Sequence, residues 1–247
     1  MIFKEFGDSN KPTIIFIHGG GLSDWMWRPQ ITAFQNDYHI VTPILDGHGE
    51  ESNTVYQTIS KSAQQVVTYI RENCGGNVFA ICGLSVGAQI TVEILATANY
   101  ITQKAVVESA LILPSKIIAA TVKPSIGLSG FLVKKRWFAK LQAKQMYLPE
   151  GMLEDYFRDS AKMKKESLIN LLEDNERYTI PANLEKTTAD VLVLCGAKEY
   201  KMMRQSADIL HNRIRNSDLK IFPDCGHGVS LKLPQEYCKL LQAFFAS

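Results

Sequence analysis

One five-residue stretch, Gly83-Leu84-Ser85-Val86-Gly87, restricts what this chain can fold into more than any other. It closes an apolar run, Asn77-Val78-Phe79-Ala80-Ile81-Cys82, and an amphipathic pattern follows from about Val86 to Ala98. G-x-S-x-G between a strand and a helix forces a sharp backbone turn. Flanking glycines keep bulk away from the serine, so the Ser85 hydroxyl points out of the sheet, where a nucleophile is useful. By composition alone, roughly 0.1 such match is expected in a chain of this length. The motif therefore needs its partners, since a Gly/Ser turn between a strand and a helix has the same letters.

A serine hydroxyl is a poor nucleophile near neutrality and needs a base, itself oriented by an acid. With a G-x-S-x-G elbow the chain order is serine, then acid, then histidine. His227 is the candidate base. It lies in Phe222-Pro223-Asp224-Cys225-Gly226-His227-Gly228, after the short apolar run Leu219-Lys220-Ile221-Phe222. In isolation it reads as a solvated loop histidine. For the acid, Asp190-Val191-Leu192-Val193-Leu194-Cys195 reads as a buried parallel strand, and Gly196-Ala197-Lys198-Glu199 is its exit loop. Glu199 thus falls at a C-terminal strand edge, where open α/β sheets build their sites. Its alternative is an exposed charge pairing with Lys198 or Lys201. Glu108, closing the run Ala105-Val106-Val107, is a rival for the acid, or else a residue of the pocket entrance. Asp224 is a second rival, with an awkward reach along its own loop.

A third element is an oxyanion hole. The uncharged run Thr13-Ile14-Ile15-Phe16-Ile17 ends in His18-Gly19-Gly20-Gly21. Bare backbone after a strand can aim N–H groups at a developing negative oxygen. Gly20 is one expected donor and Val86, the residue after the nucleophile, is the other. A phosphate cradle fails on detail. Gly19-Gly20-Gly21-Leu22-Ser23-Asp24 lacks the last glycine of G-x-G-x-x-G, and no G-K-[ST] occurs.

Taken together, the chain resembles the α/β-hydrolase family. The resemblance is carried by His18-Gly19-Gly20-Gly21 with Trp25 and Trp27 behind it, Asp46-Gly47-His48-Gly49, the Ser85 elbow, Gly196-Ala197-Lys198-Glu199 and Gly226-His227, in family order. It covers nearly the whole chain except residues 114–185. It implies an α/β-hydrolase fold, with a mostly parallel central sheet flanked by helices. It also implies a serine hydrolase of a small-molecule acyl substrate, an ester or thioester, with Ser85, Glu199 and His227 as the triad. The same triad in this family also serves C–C, amide and lactone bonds, and some homologues only bind ligands. Most members carry aspartate where this chain has Glu199, and some take the acid from the preceding strand end, which keeps Glu108 in play.

Alternating strand-like and helical patterns point the same way. Met1–Phe6 reads as a first strand rather than a signal peptide. Further strands are expected near 13–17, 39–45, 77–82, 104–108, 190–195 and 219–222. Ile59, Ala63, Val66, Val67 and Ile70 recur at helical spacing, and another helix is expected over about 202–214. Residues 1–113 and 186–247 would form the core. Residues 114–185, punctuated by Pro114, Pro124, Pro149 and Pro181, would form a helical cap with helices near 128–147, 151–163 and 164–177. Phe131, Leu132, Trp137, Met146, Tyr147, Met152 and Phe157 are candidates for an apolar pocket roof.

A net charge of +2, from 27 Lys and Arg against 25 Asp and Glu, argues against a nucleic-acid partner. Lys134-Lys135-Arg136-Trp137-Phe138-Ala139-Lys140 reads as a solvated helix face with Trp137 and Phe138 buried, and no membrane partner is expected. No C-x-x-C or H-E-x-x-H pattern occurs, so no metal or other cofactor is expected. Five cysteines, with Cys82 and Cys195 inside predicted strands, suit reduced buried thiols and a cytoplasmic setting.

Overall fold

A computed structural model describes all of residues 1–247. Seven strands form one sheet: β1 (Ile2–Phe6), β2 (Thr13–Ile17), β3 (His39–Ile44), β4 (Val78–Leu84), β5 (Thr102–Glu108), β6 (Asp190–Gly196) and β7 (Ser217–Phe222). Their order across the sheet is β1-β3-β2-β4-β5-β6-β7. Only β1 runs antiparallel to its neighbour.

Ten helices follow in chain order: α1 (Arg28–Phe34), α2 (Ile59–Asn73), α3 (Val86–Thr97), α4 (Lys116–Ser129), α5 (Arg136–Gln145), α6 (Leu153–Lys162), α7 (Lys165–Arg177), α8 (Lys201–Arg213), α9 (Val229–Lys232) and α10 (Pro234–Ala246). Side chains alternate across a strand, and β2 shows the consequence. Ile15 and Ile17 pack into one core with Val66 of α2, Ile90 of α3 and Leu210 of α8. Ile14 and Phe16 face the other core, with Phe34 of α1 and Leu241 and Phe245 of α10. The inner strands β2–β6 are buried on both faces, which is why they read as nearly continuous apolar runs, while the edge strands β1 and β7 are partly exposed.

All of α4–α7 lies between β5 and β6. Here the structure departs from the sequence expectation. The stretch expected as a helix over 128–147 divides into the end of α4, a 3-10 turn at Gly130–Lys134, an extended Lys135, and α5. Helix α4 starts earlier, at Lys116, where the Ser115 hydroxyl caps the Ile118 N–H (3.2 Å), and it passes through Pro124. Proline removes one intrahelical bond and clashes with the carbonyl four residues back. Pro124 and Ala120 are both exposed, so water can take up that carbonyl and the helix continues.

The insertion is tied to the core mainly through α6 and α7. Buried Trp25 donates its indole N–H to Asp159 (2.8 Å), and Arg28 pairs with Asp155 (2.6 Å). On α7, Ser167 accepts from the Tyr56 N–H (3.1 Å), and Asn170 donates to the Tyr56 carbonyl (2.9 Å).

Candidate active site

The chain leaves β2 toward β3 on one side and returns to β4 on the other. The C-terminal ends of β2 and β4 are therefore neighbours at the point where the winding reverses, the place where open α/β sheets form crevices. The β2 exit loop and the Ser85 turn meet there.

Ser85 has φ 57° and ψ −116°, a conformation an L-residue holds only when its surroundings impose it. Such strain costs on the order of 1–3 kcal/mol. It is imposed by close packing: a Cβ on Gly83 would overlap the Gly87 carbonyl, and one on Gly87 would overlap the Ile17 carbonyl. The Ser85 N–H is held by the Glu108 carbonyl (2.8 Å).

Val86 is the first residue of α3, so the helix makes no use of its N–H. The N–H of Gly20 takes no partner within the protein, and a Cβ on Gly20 would sit 3.3 Å from Val86 Cγ2. The two expected oxyanion donors are thus close neighbours. The β2 exit loop is fixed by His18. Its Nε2 accepts the Leu45 N–H (3.1 Å), so Nδ1 carries the proton and donates to the Gly19 carbonyl (2.9 Å). Complete burial, then the nearby His48 ring, push its pKa down to about 3 and keep it neutral.

Glu199 is brought to His227 by two loops bonded to each other. The Ala197 N–H donates to the Phe222 carbonyl and the Lys198 N–H to the Cys225 carbonyl, both 2.9 Å. Gly196 lies so close to the Cys225 and Gly226 carbonyls that no side chain would fit. Glu199 Oε2 accepts from His227 Nδ1 (3.0 Å). Its Oε1 accepts from the Gly196 N–H (2.9 Å) and the Ser109 hydroxyl (2.7 Å). Burial raises the carboxyl pKa, but the bond and charge of His227 and these donors outweigh it, leaving it below the ordinary value. Asp224, the rival on the histidine loop, is exposed and pairs with Lys198 (3.2 Å).

Glu108 occupies neither position weighed from the sequence. Its side chain is fully buried and does not line a pocket entrance. Oε1 accepts the Ser230 N–H (2.9 Å) at the start of α9, three residues past His227, while Oε2 has no partner. Burial, only partly offset by Ser230, pushes its pKa up to about 7. Enclosure is the reason: α9 and α10 cover the end of β5 and exclude water from it.

A cavity of about 380 Å³ has Gly20, Ser85 and Val86 on its lining. Ile126, Val133, Phe138 and Leu171 of the insertion supply apolar wall. Of the proposed roof residues, only Met146 reaches it. Phe131 and Trp137 point to solvent, and Met152 packs into the core beside α5 and α6. The break at Gly130–Lys135 separates α5 from α4 and leaves Phe138 facing the cavity and Trp137 facing outward. Tyr147, at φ 54°, lays its ring against Gly226, next to His227.

Ser85, Gly20 and Val86 thus share one cavity, and Glu199 and His227 form a hydrogen-bonded pair. No hydrogen bond joins Ser85 to His227 in this structure. Sequence reasoning missed two contributors. Ser109 turns its hydroxyl onto Glu199 from a positive φ of 56°. The His18 imidazole lies in the His18-Gly19-Gly20-Gly21 motif, but its role depends on Leu45, 27 residues away, which spacing does not bring to it.

Residues 14–240 match the sequence model of the alpha/beta hydrolase family. Monoacylglycerol lipase ABHD6 of Bos taurus is 21% identical over 96% of this chain and 76% of that protein. The 3-oxoadipate enol-lactonase 1 of Acinetobacter baylyi is 19% identical over 98% of this chain and 91% of that protein. Among solved structures, a hydrolase from Pseudomonas aeruginosa PA01 superposes with a TM-score of 0.83 at 15% identity, covering 99% of this chain and 94% of the other.

Proposed function

The chain belongs to the alpha/beta hydrolase family, and we propose that it is a serine hydrolase cleaving small carboxylic esters or thioesters through an acyl-enzyme on Ser85. The observation that carries this reading is the Glu199–His227 hydrogen bond of 3.0 Å, together with a strained serine that lines a cavity with apolar walls.

In this reading the Ser85 hydroxyl attacks the acyl carbon as His227 Nε2 takes its proton. Glu199 holds the proton on Nδ1, which leaves Nε2 free as the base, and stabilises the imidazolium. Its low pKa keeps it anionic for that task. The N–H groups of Gly20 and Val86 hold the oxyanion. The tetrahedral adduct collapses, and His227 gives its proton to the departing alcohol or thiol. Water then attacks the acyl-enzyme with His227 again as base, releasing the acid and free Ser85. In this reading Ser85 and His227 come within hydrogen-bond reach when an acyl substrate is bound. The insertion acts as a cap whose apolar walls receive the acyl chain.

The enol-lactonase relative favours a second substrate form on the same residues. A lactone is an internal ester, and its leaving alkoxide stays on the product. The test is steady-state turnover of short acyl esters and simple lactones by the wild type and by Ser85→Ala. A loss of at least about 10⁴-fold in kcat is expected for the variant. Turnover within tenfold of wild type would remove Ser85 from the chemistry.

A further inference from the structure

The outer side of the insertion does not look like an ordinary solvated surface. The helical run Lys116–Lys134 contains an 18-residue window of mean hydropathy 1.3, yet only 11% of that window is buried. Ile117, Pro124, Leu128 and Phe131 recur at spacings that place them along one side of α4 and the turn after it. Ile117 and Leu128 are 82% and 83% exposed, and Phe131 is 61% exposed. On α5, Trp137 is 62% exposed, contrary to the buried position expected from sequence, and Leu141, one turn on, is 49% exposed.

The charge is equally one-sided. From Ser109 to Pro149 there are seven Lys and Arg and no Asp or Glu, although the whole chain carries only +2. Arg136 pairs with Glu154, while Lys116, Lys123, Lys134, Lys135, Lys140 and Lys144 make no ion pair.

We propose that the outer face of α4, the Gly130–Lys134 turn and α5 docks on an anionic phospholipid surface. Exposed aliphatic and aromatic side chains enter the headgroup boundary, and lysines around them lay their stems over the apolar layer with the ammonium groups at lipid phosphates. A tryptophan is suited to that depth, with an apolar ring and one polar N–H. A second copy of the chain is a poor occupant, because a two-fold contact would set like charges against each other. An acidic protein would satisfy the lysines, but needs a shaped apolar surface to cover isolated side chains that a fluid lipid layer covers without one. This departs from the sequence expectation of no membrane partner. The inner faces of the same elements, through Ile126, Val133 and Phe138, line the cavity. Docking therefore brings the cavity close to a source of amphiphilic esters.

The experiment is co-sedimentation with vesicles of phosphatidylcholine alone and of phosphatidylcholine mixed with phosphatidylglycerol, read with tryptophan emission. Trp25 and Trp27 are buried, so a lipid-induced blue shift reports Trp137. The wild type is expected to bind the mixed vesicles with a blue shift, to release them in high salt, and to ignore the neutral ones. Lys134→Glu with Lys135→Glu and Lys140→Glu should lower partitioning by roughly a hundredfold, at about fivefold per charge. Leu128→Ser with Phe131→Ser should weaken it by at least about tenfold. Matched thermal melts establish that each variant is folded. Absence of binding to mixed vesicles, equal binding to neutral ones, or unaltered binding by the folded variants would overturn the proposal. So would a blue shift that follows protein concentration without lipid, which would mark a second copy as the occupant.

Discussion

Strands β5 and β6 lie side by side, and each delivers one buried glutamate to the neighbourhood of His227. At the end of β6, Glu199 receives His227 Nδ1, the Gly196 N–H and the Ser109 hydroxyl, and its pKa falls below the ordinary value despite burial. At the end of β5, Glu108 receives one N–H and leaves Oε2 bare, and its pKa rises to about 7. Glu108 is the more completely buried and has fewer donors, so desolvation wins there, whereas at Glu199 the bond and charge of His227 and the further donors win. One glutamate is built as an anion that orients a base. The other, with its pKa raised toward neutrality, is an anchor that holds the first turn of α9, and through it the segment carrying His227.

The largest expected difference between these regions is catalytic. Glu199→Gln should cost roughly 10⁴-fold in kcat on an activated ester, because a glutamine cannot favour the imidazolium and admits the wrong tautomer. Glu108→Gln should stay within about tenfold of wild type, since an amide still accepts the Ser230 N–H. A large loss for Glu108→Gln beside a near-normal Glu199→Gln would exchange the two roles.

A smaller effect is the opposite pH dependence of stability. The folded pKa of Glu108 is raised above its ordinary 4.5, so the stability tied to it is complete below about pH 4.5 and is lost as pH rises through about 7. Its full extent is on the order of 3 kcal/mol. The melting temperature of the wild type should fall relative to Glu108→Gln between pH 5 and pH 8, a range fixed by that shift. Glu199, with a depressed pKa, contributes stability above its ordinary value that disappears as pH drops through the folded one. A wild-type minus Glu108→Gln difference that stayed flat with pH would remove the distinction drawn here.

The comparison also shows where sequence reasoning works. The order of Ser85, Glu199 and His227 along the chain is legible in glycines and apolar runs, whereas the preference for Glu199 over Glu108 rests on the family resemblance. The alternating apolar runs likewise yield the sheet. The role of Glu108 was not legible, because Ser230 and Tyr237 reach it only after α9 and α10 fold back over β5. Ser109 has a positive φ, with its N–H bound to the Leu194 carbonyl of β6, and neither is visible in local sequence. The insertion was least legible. Pro124 reads as a helix stop, yet on an exposed face the Ala120 carbonyl it leaves unpaired is open to water. The hydrophobicity of Trp137 predicts a buried ring, and nothing local in the sequence shows that it faces outward.

Mapping a fluorophosphonate adduct on the intact protein tests the central claim most directly. A single adduct should appear on the peptide containing Ser85, vanish in Ser85→Ala, form far more slowly in Glu199→Gln, and form at near wild-type rate in Glu108→Gln. An adduct on another serine, or labelling of Glu199→Gln as fast as wild type, would contradict a nucleophile at Ser85 activated through Glu199 and His227.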